Sequence, residues 1–208
     1  MQGAHAARLV VLTDTTQYPD PLSSLASLLG QARAGSVVFV LRDKQLPVRE
    51  RLALGLRLRA LCHLREQSFV VAERADLARL LEADGVHLPV LGVPPSKLRA
   101  VLPQAWLSRA HHADEALPNA ELDALSAVFV SPVCASRKGR AALGVDGFGR
   151  LARELHGRRP FLNVYALGGV GPEHVPGLLA AGAAGVAVIG AGHAADPEPL
   201  LSSLGILR

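Results

Sequence analysis

Short apolar runs alternate with longer amphipathic segments along the whole chain. The apolar runs, rich in Val, Ile and Leu, predict eight β-strands: Leu9–Thr13, Ser36–Leu41, Phe69–Ala72, Gly85–Leu88, Trp106–Ala110, Ala127–Ser131, Phe161–Leu167 and Gly185–Ile189. The segments between them predict eight helices: Pro21–Ala34, Pro47–Glu66, Asp76–Glu82, Pro95–Leu102, Asp114–Leu125, Gly147–His156, Pro172–Ala181 and Pro197–Leu204. The pattern therefore predicts eight consecutive β/α units.

The composition of the strands decides between fold classes. Nearly continuous apolar runs are typical of parallel strands that are buried on both faces. Eight β/α units within 208 residues predict one compact (β/α)8 TIM barrel, a single domain over residues 1–208. An open, doubly wound sheet is the alternative. The count of eight and the lack of a dinucleotide-binding fingerprint after the first strand favour the barrel.

Hydropathy and cysteine content indicate where the protein works. Half of the residues are hydrophobic, yet no apolar run approaches the roughly 18 residues that cross a bilayer. The first residues do not read as a secretory signal. Two distant cysteines, Cys62 and Cys134, form neither a disulfide framework nor a paired metal motif. We expect a protein of the reducing cytoplasm that makes no membrane contact.

The chain is basic, with a net charge of +4 and a pI of about 9.6. Its arginines are scattered along the predicted helices rather than gathered in one run. Aromatic residues are only 4% of the sequence, too few for a base-stacking platform. These features argue against nucleic acid and favour small anionic ligands.

Glycines at the ends of the last two predicted strands indicate a phosphate site. Gly168 and Gly169 follow the seventh strand, and Gly190 and Gly192 follow the eighth. Glycine lets the backbone approach a ligand closely, and the loops after strands seven and eight are the usual phosphate seat of such barrels. The other strand ends are richer in cations than in carboxylates, which also suits an anion.

Several stretches resemble the thiamin phosphate synthase and TenI superfamily across almost the whole chain. They are LVVLTD (9–14), VLRDK (40–44), VVAERADLA (70–78), EADGVHLP (82–89), SRAHH (108–112), SPVCASRKG (131–139), YALGGV (165–170) and AAGAAGVAVIGAG (180–192). The resemblance implies a (β/α)8 barrel of thiamin biosynthesis that binds a thiazole phosphate. One branch joins a pyrimidine pyrophosphate to thiazole phosphate with Mg²⁺, and the TenI branch aromatises a carboxythiazole phosphate by moving a proton.

Departures from the synthase pattern favour the TenI branch. Val40 stands where the synthase has glutamine, and Ala72–Glu73 stand where it has Asn-Asp. The LPVLGVPP segment after DGVH has no carboxylate, and the serine expected on strand five is replaced near Arg109 or Ala110. Two residue pairs resemble the TenI branch: Pro95 with Arg99, and Arg109 with His112. We therefore expect a cofactor-free, thiazole tautomerase-like isomerase. The alternatives are a divergent, Mg²⁺-dependent synthase that uses Glu73 for the metal, and a non-catalytic phosphate-binding barrel.

The resemblance also implies the site residues. His112 is the expected proton-transfer residue, and His111 is the alternative if the register shifts by one. The phosphate is expected on the backbone around Gly168–Gly169 and Gly190–Ala191, with Lys138 and Ser136 closing over it. Further candidates for anionic groups of the substrate are Arg42, Lys44 and Arg109. Barrels of this size often pair, so a homodimer is a further expectation.

Overall fold

The computed structural model describes residues 7–137 and 139–208. In these residues eight parallel strands pair in sequence order, and β1 also pairs with β8 to close the barrel. The strands are β1 (Leu9–Leu12), β2 (Val37–Leu41), β3 (Ser68–Ala72), β4 (Gly85–Leu88), β5 (Trp106–His111), β6 (Ala127–Val130), β7 (Asn163–Leu167) and β8 (Gly185–Val188). The predicted (β/α)8 fold class is confirmed.

A helix follows each strand and packs outside the barrel. The helices are α1 (Pro21–Gln31), α2 (Val48–Leu64), α3 (Ala75–Leu80), α4 (Pro95–Val101), α5 (Asn119–Asp123), α6 (Gly144–Arg158), α7 (Val175–Ala180) and α8 (Glu198–Ser203). Single 3-10 turns, Pro172–His174 and Gly190–His193, follow β7 and β8. Within the described residues, no helix has the length and apolarity that a membrane span requires.

Several element boundaries differ from the prediction, among them the starts of α5 and β7. Helix α5 begins at Asn119 rather than Asp114, because the preceding residues form a turn at the end of β5, where the Glu115 amide donates to the His112 carbonyl at 3.1 Å. Pro118 then ends the turn in an extended conformation. Strand β7 begins at Asn163 rather than Phe161, whose side chain is 95% exposed.

The strands alternate between two buried layers, and this alternation positions the site. One set of side chains fills the barrel, among them Val10, Val38, Val40, Val70, Phe129 and Tyr165. The other set packs against the helices, as do Leu9, Phe39, Val71, Val128 and Val186. Because neighbouring residues of a strand face opposite layers, a shift of one residue decides whether a strand-end side chain reaches the barrel mouth.

Candidate active site

A cavity of about 220 Å³ lies at the carboxyl ends of the strands, where active sites of such barrels are found. It is lined by Leu12, Arg42, His87, Ala110, His112, Ser131, Pro132, Arg137, Arg140, Leu167, Gly168 and Ile189. These residues come from six strand ends and from the loop between β6 and α6. The ionisable side chains among them are three arginines and two histidines, and the lining contains no carboxylate.

His112 lies in the wall of the cavity with a defined tautomer. Its Nδ1 atom is 2.6 Å from the carbonyl oxygen of Ser131, which can only accept a hydrogen bond. Nδ1 therefore carries a proton, and in the neutral imidazole Nε2 is the hydrogen-bond acceptor. Residues 106, 108, 110 and 112 share the inward side of β5 and its extension, so the structure places His112 at the mouth.

His111 is on the opposite side of the same strand. Its side chain is 3% exposed and borders a separate cavity of about 300 Å³, together with Leu117, Leu151 and Arg158. Burial, reinforced by the charge of Arg109, lowers the pKa of His111 to about 4. The structure therefore separates the two candidate histidines, and only His112 borders the cavity at the barrel mouth.

His87 also borders the active-site cavity, within the barrel. Its Nδ1 atom is 2.9 Å from Ser108 Oγ, and its ring stacks on Phe129 with centroids 4.4 Å apart. Burial, with a smaller contribution from the Lys44 charge, lowers the pKa of His87 to about 3. A neutral imidazole is thus fixed below the mouth at physiological pH.

The glycine pair after β7 holds the β6–α6 loop, and Gly168 also borders the cavity. The Gly168 carbonyl accepts hydrogen bonds from the Cys134 amide at 2.7 Å and the Ala135 amide at 3.2 Å. Gly169 has a φ of +70°, and a Cβ added to it would lie 2.4 Å from the Cβ of Ala135. Close packing of this loop therefore requires glycine at position 169.

The glycine-rich end of β8 forms the 3-10 turn that begins at Gly190. The amides of Gly190 and Ala191 are in its first turn, where backbone N–H groups have no acceptor within the helix. The Tyr18 hydroxyl lies 3.1 Å from the position that a Gly190 Cβ would occupy. The Tyr18 ring stacks on His193 with centroids 4.4 Å apart, which fixes the hydroxyl beside this turn.

The loop between β6 and α6 supplies two arginines that the sequence analysis did not single out. Arg137 and Arg140 border the cavity, whereas the candidate Ser136 is exposed and its Oγ accepts a hydrogen bond from the Ala142 amide at 3.2 Å. Lys138, the other candidate in this loop, lies outside the described residues. The basic run RKGR was the available signal, but it did not show which side chains turn inward.

The three cations predicted on β2 and β5 have different surroundings. Arg42 borders the cavity, and its Nη2 atom is 2.5 Å from Asp14 Oδ2. Lys44 is outside the cavity lining and forms an ion pair with Glu73. Arg109 is buried on the outer side of β5, where its Nη2 atom donates to the Val90 carbonyl at 2.9 Å.

The carboxylates near the mouth are engaged by the protein itself. Glu73 pairs with Lys44, and Asp14 pairs with Arg42. Although burial opposes ionisation, hydrogen bonds from Thr13 and Thr15 hold the pKa of Asp43 below its usual value. The described residues contain no group of three or more His, Cys, Asp or Glu side chains arranged to hold a metal ion. Mg²⁺ needs only one or two carboxylates besides substrate phosphates, and Glu73, the carboxylate named for a synthase-like site, is paired with Lys44.

A family model described as thiamine monophosphate synthase matches residues 9–191. The chain belongs to this family. It is 30% identical over 181 residues to the thiamine-phosphate synthase of Moorella thermoacetica, covering 85% of this chain and 84% of that protein. It is 34% identical over 205 residues to the thiamine-phosphate synthase of Thermobifida fusca, covering 96% and 91%. The thiamine-phosphate synthases of Synechococcus sp. and Gloeobacter violaceus, 34% and 33% identical to this chain, are longer, and the match spans 54% of each.

A solved structure supports the fold assignment. The thiamine phosphate pyrophosphorylase of Pyrococcus furiosus superposes with a TM-score of 0.78, covering 99% of this chain and 98% of that one, at 23% identity. The likeness extends around the entire barrel.

The expectation of a TenI-type isomerase is wrong. Relatives at 30–34% identity are named thiamine-phosphate synthase, and nothing in the comparisons is specific for the TenI branch. The structure shows why the TenI-like residues misled. Arg109 faces away from the cavity, and the Arg99 guanidinium donates to the backbone carbonyls of Ala105 and Ala124. Both arginines therefore support loops and helices of the barrel, which does not distinguish one activity from the other.

Proposed function

We propose that the protein is a thiamine-phosphate synthase, a transferase that joins a pyrimidine diphosphate to thiazole phosphate. The names of its relatives support this assignment. The structural observation that carries it is the lining of the cavity, whose ionisable side chains are arginines and histidines without a carboxylate. Both substrates carry phosphate groups, and a cationic, partly enclosed site favours such anions.

The reaction is a substitution at the methylene carbon of the pyrimidine. The lone pair of the thiazole ring nitrogen forms a C–N bond as the C–O bond to diphosphate breaks, and the electron pair of that bond leaves with diphosphate. No oxidant or reductant takes part. The protein must therefore hold two anionic groups, exclude water from an electrophilic carbon and stabilise the leaving group.

The geometry supports different roles for three groups of the site: the Gly190–Ala191 amides, Arg42 and His112. The first amides of the 3-10 turn at Gly190–Ala191 follow Ile189, which lines the cavity, and they are suited to the thiazole phosphate because they have no acceptor within the turn. Arg42 is held by Asp14 beside the same cavity and contributes positive charge. In its neutral form, His112 offers Nε2 as an acceptor for polar hydrogens of the heterocycles.

The neutral histidine below the mouth suits an electrophilic reaction. Positive charge develops on the pyrimidine methylene carbon as diphosphate departs. His87 has a pKa of about 3, so its imidazole is uncharged and does not repel that carbon. Phe129, stacked on the ring, keeps the group desolvated and in place.

The direct test is coupling of the two purified substrates by the purified full-length protein. Thiamin phosphate is measured by oxidation to its fluorescent thiochrome derivative, and released diphosphate is measured in parallel, with Mg²⁺ and with EDTA. We expect equal amounts of the two products. Binding of thiazole phosphate without product in either condition would refute the proposal and favour a non-catalytic phosphate-binding barrel.

A further inference from the structure

A turn directly after β5 holds the backbone of His112 at two points. His112 lies one residue beyond the end of the strand, and its amide donates to Oε2 of Glu115 at 3.3 Å. The amide of Glu115 donates in return to the carbonyl of His112 at 3.1 Å. The side chain of Glu115 is 20% exposed, so water has limited access to its carboxylate. One residue thus satisfies both backbone groups of His112, which every chain segment must pair with some partner.

The imidazole of His112 is held separately, by the end of β6. Its Nδ1 atom is 2.6 Å from the carbonyl oxygen of Ser131 and 3.3 Å from Ser131 Oγ. The amide of Ser131 donates to the carbonyl of His111 at 3.0 Å, which continues the pairing of β5 with β6. A side chain moves with its own backbone, so the ring keeps this short contact only while the turn is closed. The contacts of His112 with Glu115 and with Ser131 therefore depend on each other.

A second carboxylate in the same turn offers a comparison. Asp114 Oδ1 and Glu115 Oε1 lie 3.6 Å and 3.8 Å from the guanidinium of Arg140, so both residues form an ion pair with it. The side chain of Asp114 is 67% exposed, and ion pairs of this kind contribute little to stability. Of these two carboxylates, the one that accepts from the amide of His112 is Glu115. Substituting each in turn separates the ion pair from the backbone contact.

We propose that Glu115 is a positioning residue for His112, whose carboxylate closes the turn and so keeps the imidazole on Ser131 as the Nδ1–H tautomer. The hydrogen bond made by one ring nitrogen decides whether the other is a donor or an acceptor. When the turn opens, the ring leaves the Ser131 carbonyl and the two tautomers mix. The effect on catalysis rests on the proposed function, in which neutral His112 offers Nε2 to a heterocycle, whereas the effect on the tautomer does not.

The proposal predicts which substitutions are tolerated. Glu115→Gln keeps an acceptor oxygen for the His112 amide but loses the charge toward Arg140. Glu115→Ala and Glu115→Met both lose the acceptor, and the methionine retains the length of the side chain. Asp114→Asn weakens the ion pair alone. We therefore expect Glu115→Gln and Asp114→Asn to behave like the parent, and the alanine and methionine variants to release the ring.

The first measurement is the tautomer of His112 in the full-length protein. Two-bond ¹H–¹⁵N correlations of ¹⁵N-labelled histidine are recorded at about pH 8, above the usual pKa of the imidazole. The sequence has 8 histidines, so the signals of His112 are assigned by their loss in His112→Gln. We expect the Nδ1–H tautomer in the parent, in Glu115→Gln and in Asp114→Asn. Glu115→Ala and Glu115→Met should show a mixture of the two tautomers.

The second measurement is a double-variant cycle, which shows whether Glu115 acts through His112. Glu115→Ala should lower kcat/KM for thiamin phosphate formation roughly tenfold, the scale expected when a group of the site is misplaced. In the His112→Ala background the same change should cost less than about twofold. A residue that only supports the fold would lower kcat/KM by the same factor in both backgrounds. Glu115→Gln should recover most of the parent activity, and thermal melting checks that each variant is folded.

The positioning role is overturned if the tautomer of His112 is the same in the parent, Glu115→Ala and Glu115→Met. It is also overturned if Glu115→Gln mixes the tautomers as fully as Glu115→Ala, because the charge toward Arg140 would then be decisive. Either result leaves the proposed function standing when the parent makes thiamin phosphate. Conversely, the expected change of tautomer in a protein that makes no thiamin phosphate supports the positioning role and overturns the proposed function alone.

Discussion

Replacing Gly169 with alanine tests the packing that supports the cationic loop. The new methyl group meets two obstacles: a φ of +70° and the backbone and side chain of Ala135. The left-handed conformation costs a residue with a Cβ about 1–2 kcal/mol. A Cβ placed 2.4 Å from the Ala135 Cβ and 2.7 Å from its amide nitrogen forces a shift of the loop, and such overpacking typically costs about 1–3 kcal/mol. We expect a total loss of about 2–5 kcal/mol in the free energy of unfolding.

Two other glycines separate these contributions. Gly144 has a φ of +67° with nothing within 4 Å of its Cβ position, so Gly144→Ala should lose only the conformational part, about 1–2 kcal/mol. Gly30 lies in α1 with open space around it, and Gly30→Ala should gain up to about 1 kcal/mol because alanine favours the helix.

Urea denaturation followed by circular dichroism measures all three variants against the parent. The expected order of stability is Gly30→Ala, parent, Gly144→Ala and then Gly169→Ala. If Gly169→Ala loses no more unfolding free energy than Gly144→Ala, the close contact with Ala135 does not affect stability, and the packing of the loop described above is wrong. Because the displaced loop bears Arg137 and Arg140, Gly169→Ala should also weaken diphosphate binding, whereas Gly144→Ala should do so less.

Three further predictions concern individual side chains. His112→Ala should lower kcat/KM for thiamin phosphate formation at least tenfold. His111→Ala, on the other face of β5, should alter the stability of the fold and leave kcat/KM within about threefold of the parent. Equal losses of kcat/KM in both variants would contradict the assignment of the two histidines to opposite faces. Burial lowers the pKa of His111 from 6.5 to about 4, so the unfolded state binds the proton more readily than the folded state. The free energy of unfolding should therefore fall as the pH drops from about 6.5 to about 4. This group should contribute a slope of up to about 1.4 kcal/mol per pH unit. The slope measured by urea denaturation should be shallower in His111→Gln, and an unchanged slope would show that His111 does not contribute. Tyr18→Phe should keep the stacking on His193 but raise the KM for thiazole phosphate several-fold with little change in kcat. An unchanged KM would show that the Tyr18 hydroxyl, beside Gly190, takes no part in phosphate binding.

The fold could be predicted because each buried parallel strand is a separate apolar run. The same property hides the orientation of its side chains. The residues at positions 106, 108, 110 and 112 visibly share one face of β5, but both faces of a barrel strand are apolar and buried, so the pattern does not show which face is interior. For this reason the choice between His111 and His112 could not be made from periodicity, and Arg109 was placed in the site although it faces the helices.

The loop residues and the activity were harder to predict for a different reason. Arg137 and Arg140 border the cavity from a loop whose backbone bridges these two residues and whose base is bonded to Gly168, and neither contact has a local sequence signal. The expected activity was chosen from substitutions such as valine for glutamine at position 40. Val40 is fully buried inside the barrel, so its identity can be set by core packing as well as by the reaction. Family relatives, rather than single positions, corrected that choice.

The anchorage of the β6–α6 loop has a consequence for the speed of ligand capture. Amides of Val133 and Cys134 are bonded to the end of β7 at 2.9 and 2.7 Å, so the base of the loop is ordered before any substrate arrives. Association should then be governed by diffusion and by attraction to the arginine-lined mouth rather than by a slow rearrangement. The association rate of an anionic substrate should accordingly fall as ionic strength rises, while the dissociation rate should respond mainly to the contacts made inside the cavity.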